Sequence, residues 1–202
     1  MTESRIGVVA LQGDFMAHRH RLAQLPVSAR LVREPEELAG LDGVILPGGE
    51  STTMTRLGSE NGLWPELKQR VRQGLAVMGT CAGVIMLARR IERDAKGIRP
   101  LGLLDIVLQR NAYGSQVDSF ESELSLEFGD ATVRFPGVFI RAPKITEFGE
   151  GVSVIARCGE DPVFVQQGRV WGLTFHPELT PKLDVHRRFV KMASEDWVRM
   201  LP

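Results

Sequence analysis

Cysteine is scarce in this chain. Cys81 and Cys158 are the only two in 202 residues, too few to staple a domain of this length, so a disulfide framework is excluded. Charge of one sign is not in excess either: 25 Lys and Arg balance 25 Asp and Glu. Coating nucleic acid or an anionic membrane needs a basic surplus, and neither is expected as a partner. No run approaches the roughly 18 apolar residues that span a bilayer, and the polar Met1–Arg5 stretch lacks a signal-peptide layout. Low-complexity tracts, repeats and linkers are also missing. What remains, with 43% hydrophobic residues, is an ordinary globular composition. Residues 1–202 are expected to form a single cytoplasmic domain.

The first half alternates short apolar runs with helical segments. Ile6 to Leu11, Ala29 to Val32, Gly43 to Leu46 and Leu75 to Met78 read as buried strands. Asp14 has the chemistry to cap a helix carrying Phe15, Leu22 and Leu25, and further helices are expected near Leu63–Val71 and Ala82–Arg90. Short continuous strands between helices imply an α/β parallel sheet covered on both faces. Beyond Gly102 the texture turns to strands: Leu103 to Leu108, Ser122 to Leu126, Val138 to Ile140, Val152 to Ala156, Val163 to Val165 and Val170 to Thr174. A last amphipathic helix is expected over Leu183–Val198, with Val185, Phe189, Met192 and Trp197 on its apolar face. The fold expected is an open, mostly parallel sheet with helices on both faces and an added antiparallel portion. Ligands in such sheets bind at the carboxyl ends of the strands, which selects Gln12-Gly13, Pro47 to Thr53 and Gly79 to Gly83.

Gly79-Thr80-Cys81-Ala82-Gly83 stands between a strand and a helix, the layout of a nucleophile elbow with cysteine in the serine position. Its glycines relieve the crowding of a sharp turn. A thiol at a helix start is favoured as thiolate, and the unpaired N–H groups there suit an oxyanion. Cys158 has no such setting and reads as structural. His176-Pro177-Glu178 follows a strand, where residues two apart on extended chain project to one side. The carboxylate can then orient the imidazole as general base. His18 and His20 fall on different faces of their helix and His186 sits mid-helix, so no metal site is expected. The loop Pro47 to Thr53 lacks the lysine and spacing of a P-loop; Glu50 would repel phosphate and suits an ammonium group.

Gly79–Gly83 together with His176–Glu178 resembles the class I, triad-type glutamine amidotransferases. The segments Leu11–Asp14, Pro47–Thr53, Asn111–Gly114, Asp118–Glu121, Phe139–Pro143 and His176–Thr180 are similar to those of the family of glutaminase subunits of pyridoxal 5′-phosphate synthase. The resemblance implies a flavodoxin-like three-layer fold and hydrolysis of L-glutamine to glutamate and ammonia. Cys81 would be the nucleophile, with His176 and Glu178 completing the triad. Backbone N–H groups of Gly49 and Ala82 would form the oxyanion site, and Gly49, Glu50, Ser51, Arg110, Ile140 and Arg141 would bind substrate. No cofactor is implied, since pyridoxal 5′-phosphate is the product of the complex. The implied partner is a (β/α)₈-barrel synthase subunit in a large hetero-oligomer, docking near Gln12. Ser115 departs from the family, which usually has arginine there. Two other readings share parts of this pattern. One is a cysteine hydrolase of the DJ-1 or peptidase type, which would lack the Pro47–Thr53 loop beside His-Pro-Glu. The other is a regulatory module without catalysis, which has no need of Cys81, His176 and Glu178 together.

Overall fold

The computed structural model describes residues 3–92, 97–110 and 119–194. The segments Asn111–Gly114 and Ser115, Asp118 and the chain from 195 onward, including Trp197, lie outside the described residues.

Five parallel strands build the centre of the main sheet. They are β1 (Ser4–Val9), β2 (Val27–Val32), β3 (Gly43–Leu46), β4 (Ala76–Thr80) and β12 (Val170–Leu173). Two antiparallel strands, β10 (Ser153–Cys158) and β11 (Asp161–Gln167), extend it to the order β10-β11-β12-β4-β3-β1-β2. Strand periodicity sends alternate residues to opposite faces. Val44, Leu46 and Val77 therefore join one core and Ile45, Ala76 and Met78 the other. The first core is covered by α2 (Ser51–Glu60), α3 (Leu63–Arg72), α4 (Ala82–Leu87) and a small sheet of β5 (Ala88–Glu92), β6 (Leu104–Gln109) and β9 (Lys144–Phe148). The second is covered by α1 (Phe15–Leu22), α5 (Asp184–Ser194) and the hairpin of β7 (Ser119–Glu127) and β8 (Thr132–Ile140). This is the expected mostly parallel sheet with helices on both faces and an antiparallel portion.

Several elements differ from expectation. The helix after Cys81 stops at Leu87 rather than Arg90, and residues 88–92 form β5. Returning chain terminates it: the Leu101 and Leu103 N–H groups donate to the Met86 and Leu87 carbonyls. Helix α2 begins inside the expected Pro47–Thr53 loop, and its sequence Ser51–Glu60, with three threonines and Gly58, has weak helix propensity. Packing overrides that weak propensity. A Cβ on Gly58 would stand 2.2 Å from the Trp64 indole, whose Nε1 donates to the Met54 carbonyl at 3.1 Å. His176-Pro177-Glu178 is also not extended: Pro177–Leu179 is a single 3-10 turn.

Candidate active site

The order β12-β4-β3-β1 places four strand ends side by side, and with them His176, Cys81, the Gly48-Gly49 turn and Gln12. Cys81 stands between β4 and α4 with φ 48° and ψ −105°, a conformation L residues rarely adopt. Such strain costs about 1–3 kcal/mol and persists only where the surroundings over-determine it. They do so here. The Cys81 N–H donates to the Leu173 carbonyl at 2.9 Å, tying the elbow to the neighbouring strand. A Cβ on Gly83 would approach the Leu46 carbonyl oxygen to 2.0 Å, and one on Gly79 would meet the Gly83 carbonyl at 2.7 Å. The glycines flanking Cys81 are thus required by backbone contact, as the elbow reading demands.

The imidazole of His176 lies against Gly48, whose missing Cβ would be 2.4 Å from His176 Cε1 and 3.4 Å from Cys81 Cβ. His176 Nδ1 meets Glu178 Oε1 at 2.7 Å. The 3-10 turn, not an extended chain, folds that carboxylate back under the ring. Burial pulls the His176 pKa down, but hydrogen bonds to Cys81 and Glu178 and their charges outweigh it and raise it to about 10. Burial pushes the Glu178 carboxyl up, and the His18 and His176 imidazoles overcome this and hold it below the ordinary value. The result is a buried carboxylate, an imidazole with high proton affinity and a thiol beside it.

A cavity of about 450 Å³ opens on Cys81 and His176. All six residues expected to bind substrate line it: Gly49, Glu50, Ser51, Arg110, Ile140 and Arg141. So does Ala82, while Glu178 lies behind His176, 2% exposed. Glu50 caps α2 and accepts from the Thr52 hydroxyl at 2.8 Å, and its Oε1 stands 3.8 Å from Arg110. The cavity thus carries a carboxylate and guanidinium groups, which suits a zwitterionic ligand. Cys81 Sγ lies 3.7 Å from the Ile140 carbonyl. On the β1 side, the Gln12 Oε1 accepts from the Glu50 N–H, and the Asp14 N–H donates to the Gly48 carbonyl at 3.3 Å. Asp14, Ile85, Pro143 and Leu179 also line the cavity and were not foreseen. Cys158 lies at the end of β10, half-buried and apart from this constellation.

The match to known proteins decides the class. The model of the SNO glutamine amidotransferase family matches residues 8–195. The chain belongs to this family. The pyridoxal 5′-phosphate synthase subunit PdxT of Deinococcus radiodurans is 52% identical over 193 residues, which cover 94% of this chain and 97% of that protein. The PdxT of Thermosipho africanus is 43% identical over 191 residues, covering 95% and 100%. Among solved structures, one described as a glutamine amidotransferase superposes with a TM-score of 0.88 at 47% identity, covering 93% of this chain and 98% of its own. The SNO family assignment agrees with the elbow, the His-Pro-Glu turn and the cavity described above.

Behind Cys81, His176 and Glu178 lies a second group that this amidotransferase chain keeps wholly from water. His18, on α1, is fully buried, as is His186 on α5, and their rings meet Nδ1 to Nε2 at 3.0 Å. Sequence reasoning weighed both only as metal ligands. The usable signal is that His18 shares a helix face with Leu22, four residues on and also fully buried. Burial lowers the His18 pKa against the pull of Glu178, and burial with His18 beside it pushes His186 down to about 3. His176, Asp14 and Arg21 are the other charged groups acting on the pair. Both folded values lie below the unfolded 6.5, so the stability from keeping these rings neutral is complete above pH 6.5 and is lost as pH falls. His176 holds its proton in both states below pH 6.5 and adds no slope there. Unfolding free energy is expected to decline below pH 6.5 by up to about 1.4 kcal/mol per pH unit for each of the two histidines. Urea unfolding at pH 7.5, 6.5 and 5.5 checks this; a flat profile contradicts it.

Proposed function

We propose that this chain hydrolyses L-glutamine to L-glutamate and ammonia and passes the ammonia to a separate synthase subunit that makes pyridoxal 5′-phosphate. The carrying observation is the strained Cys81 elbow facing His176, with Glu178 buried behind it, in a chain of the SNO glutamine amidotransferase family. The relatives named as pyridoxal 5′-phosphate synthase subunits support the pathway.

Each residue has a role in this reading. Glu50, Arg110 and Arg141 hold the ammonium and carboxylate ends of glutamine, and Gly49, Ser51 and Ile140 shape the wall. His176 takes the Cys81 proton, and the thiolate sulfur attacks the side-chain amide carbon. The oxygen becomes an oxyanion received by the Gly49 and Ala82 N–H groups. As the C–N bond breaks, the imidazolium gives its proton to the departing amine, which leaves as ammonia. His176 then takes a proton from water, whose oxygen attacks the thioester; the C–S bond breaks, sulfur regains its proton and glutamate leaves. Glu178 keeps the imidazole in the Nδ1–H tautomer, leaving Nε2 for the thiol. This chemistry needs a free thiol, which a reducing cytoplasm preserves.

Ammonia is useful to a synthase only if it arrives without mixing with solvent, so the partner must seat over this cavity. The partner of this reading is a (β/α)₈-barrel subunit in a large hetero-oligomer. Met16, Ile140 and Leu179, each between 37% and 49% exposed, are large apolar groups on the elements that frame the mouth. Gln12 ties that rim to the oxyanion loop through the Glu50 N–H. Glutamate release is expected to rise when the synthase subunit is added. Gln12→Ala is expected to cut the stimulated rate about tenfold, in line with losing one hydrogen bond that orients a catalytic loop. Stimulated activity unchanged by Gln12→Ala would remove the docking role, and strong activity indifferent to the synthase would place the glutaminase in another pathway.

A further inference from the structure

A carboxylate buried as deeply as Glu178 needs donors on both oxygens, because an unpaired buried anionic oxygen is costly. Oε1 has His176 Nδ1 at 2.7 Å. Oε2 is fully buried and makes no hydrogen bond in the structure, and His18 Nε2 stands 3.3 Å from it. The same Nε2 lies 3.1 Å from Thr80 Oγ1, one residue before the nucleophile. Behind it, His18 Nδ1 meets His186 Nε2 at 3.0 Å, and His186 Nδ1 ends the chain without a hydrogen-bond partner.

The tautomers follow from the two ends of this row. If His18 carried its proton on Nδ1, it would donate to His186 Nε2, and the His186 proton would sit on Nδ1, a buried N–H without an acceptor. His18 Nε2 would then turn a lone pair on the Glu178 carboxylate. With the protons on both Nε2 atoms, His186 donates to His18, and His18 donates to Thr80 with Glu178 Oε2 3.3 Å from the same nitrogen. Only a bare ring nitrogen is then left unpaired, which is the lesser cost. Helix α1 grips Glu178 a second time, since Arg21 Nε donates to the Glu178 carbonyl at 3.0 Å.

We propose that His18 is a positioning residue of this site: its Nε2–H holds Glu178 Oε2 so that Oε1 stays aimed at His176, extending the row Cys81–His176–Glu178 inward to His18 and His186. The inference rests on the glutaminase reading above. His18, Thr80 and His186 do not line the cavity, so the row acts on the reacting thiol and not on substrate binding. Burial lowers the pKa of both rings, which favours their neutral forms.

Two measurements test it. Nitrogen-15 NMR of the full chain, labelled in its four histidines, reads tautomers directly. His18 and His186 are expected to be neutral and protonated on Nε2 at pH 7; His18 protonated on Nδ1 overturns the proposal. Steady-state glutamate release, with the synthase subunit present, gives the second reading. His18→Leu is expected to lower kcat about 10–100-fold with KM for glutamine unchanged within about twofold, the scale of losing a group that orients a reacting residue. His18→Gln, which keeps an N–H in reach of Oε2, is expected to regain most of that loss. Wild-type kcat in a folded His18→Leu chain overturns the proposal, as does an equal loss in both variants. If the leucine variant does not fold, the glutamine variant and the wild-type tautomers still decide. A wild-type chain that releases no glutamate with the synthase present sinks the glutaminase reading instead, and the tautomers report on His18 separately.

Discussion

Cys81→Ala is expected to reduce glutamate release to background, a loss on the order of 10⁴-fold or more, because it deletes the thiol proposed as the nucleophile of this cavity. Among the described residues the other cysteine, Cys158, ends a strand at the edge of the sheet and cannot substitute. The fold should survive the change. Alanine keeps the Cβ and the backbone N–H that bonds the Leu173 carbonyl, so the elbow retains its tie to the sheet. It loses one sulfur atom, 3.7 Å from the Ile140 carbonyl. Circular dichroism and a cooperative melt near wild type, with no glutamate formed in a coupled assay, meet the expectation. Glutamate formed at more than about a hundredth of the wild-type rate would mean that the amide is attacked by something other than this thiol. An electrophilic glutamine analogue gives an independent reading: covalent mass should appear on wild type and be missing from the variant.

The elements that hold this thiol were legible because local chemistry and tertiary contact agree there. Gly43–Leu46 reads as a buried strand and is one; Asp14 reads as a cap and accepts from the Ala17 N–H at 3.2 Å. Gly79 and Gly83 read as turn glycines, and their missing Cβ atoms are what lets strand, elbow and α4 touch. Legibility failed where packing overrode a local preference. Ala88–Glu92 carries two arginines and a helical pattern, yet pairs in parallel with β6 once the returning chain has occupied the last helix carbonyls. Residues 144–148, as β9, find partners only through β6, more than thirty residues earlier. The histidine row is the same failure at the site. His18 and His186 are 168 residues apart, and nothing local to either says that the other stands 3.0 Å away. His176 and Glu178, two residues apart, were visible for the opposite reason, although the backbone that joins them is a 3-10 turn and not a strand.

Glu178→Gln is expected to be the second most damaging change, with kcat down about 10²–10⁴-fold in a folded chain. The carboxylate accepts from His176 Nδ1 at 2.7 Å, and in the proposal above its other oxygen accepts from His18 Nε2, 3.3 Å away. A glutamine amide has one accepting oxygen and one donating nitrogen, so one imidazole must face N–H against N–H. If the amide nitrogen faces His176, that ring takes the other tautomer, and Nε2 carries a proton where it must accept one. If it faces His18, the conflict passes to a ring held in place by Thr80 and His186. Adding His18→Gln to Glu178→Gln resolves the conflict, because the second amide can turn its oxygen toward the first. The first is then free to point its own oxygen at His176. The double variant is therefore expected to be about tenfold more active than Glu178→Gln alone, although each single change lowers activity. Equal kcat in the single and double variants would assign the whole loss to the missing negative charge. A gain in the double variant separates the two contributions of Glu178: orientation, which a pair of neutral amides can restore, and charge, which they cannot.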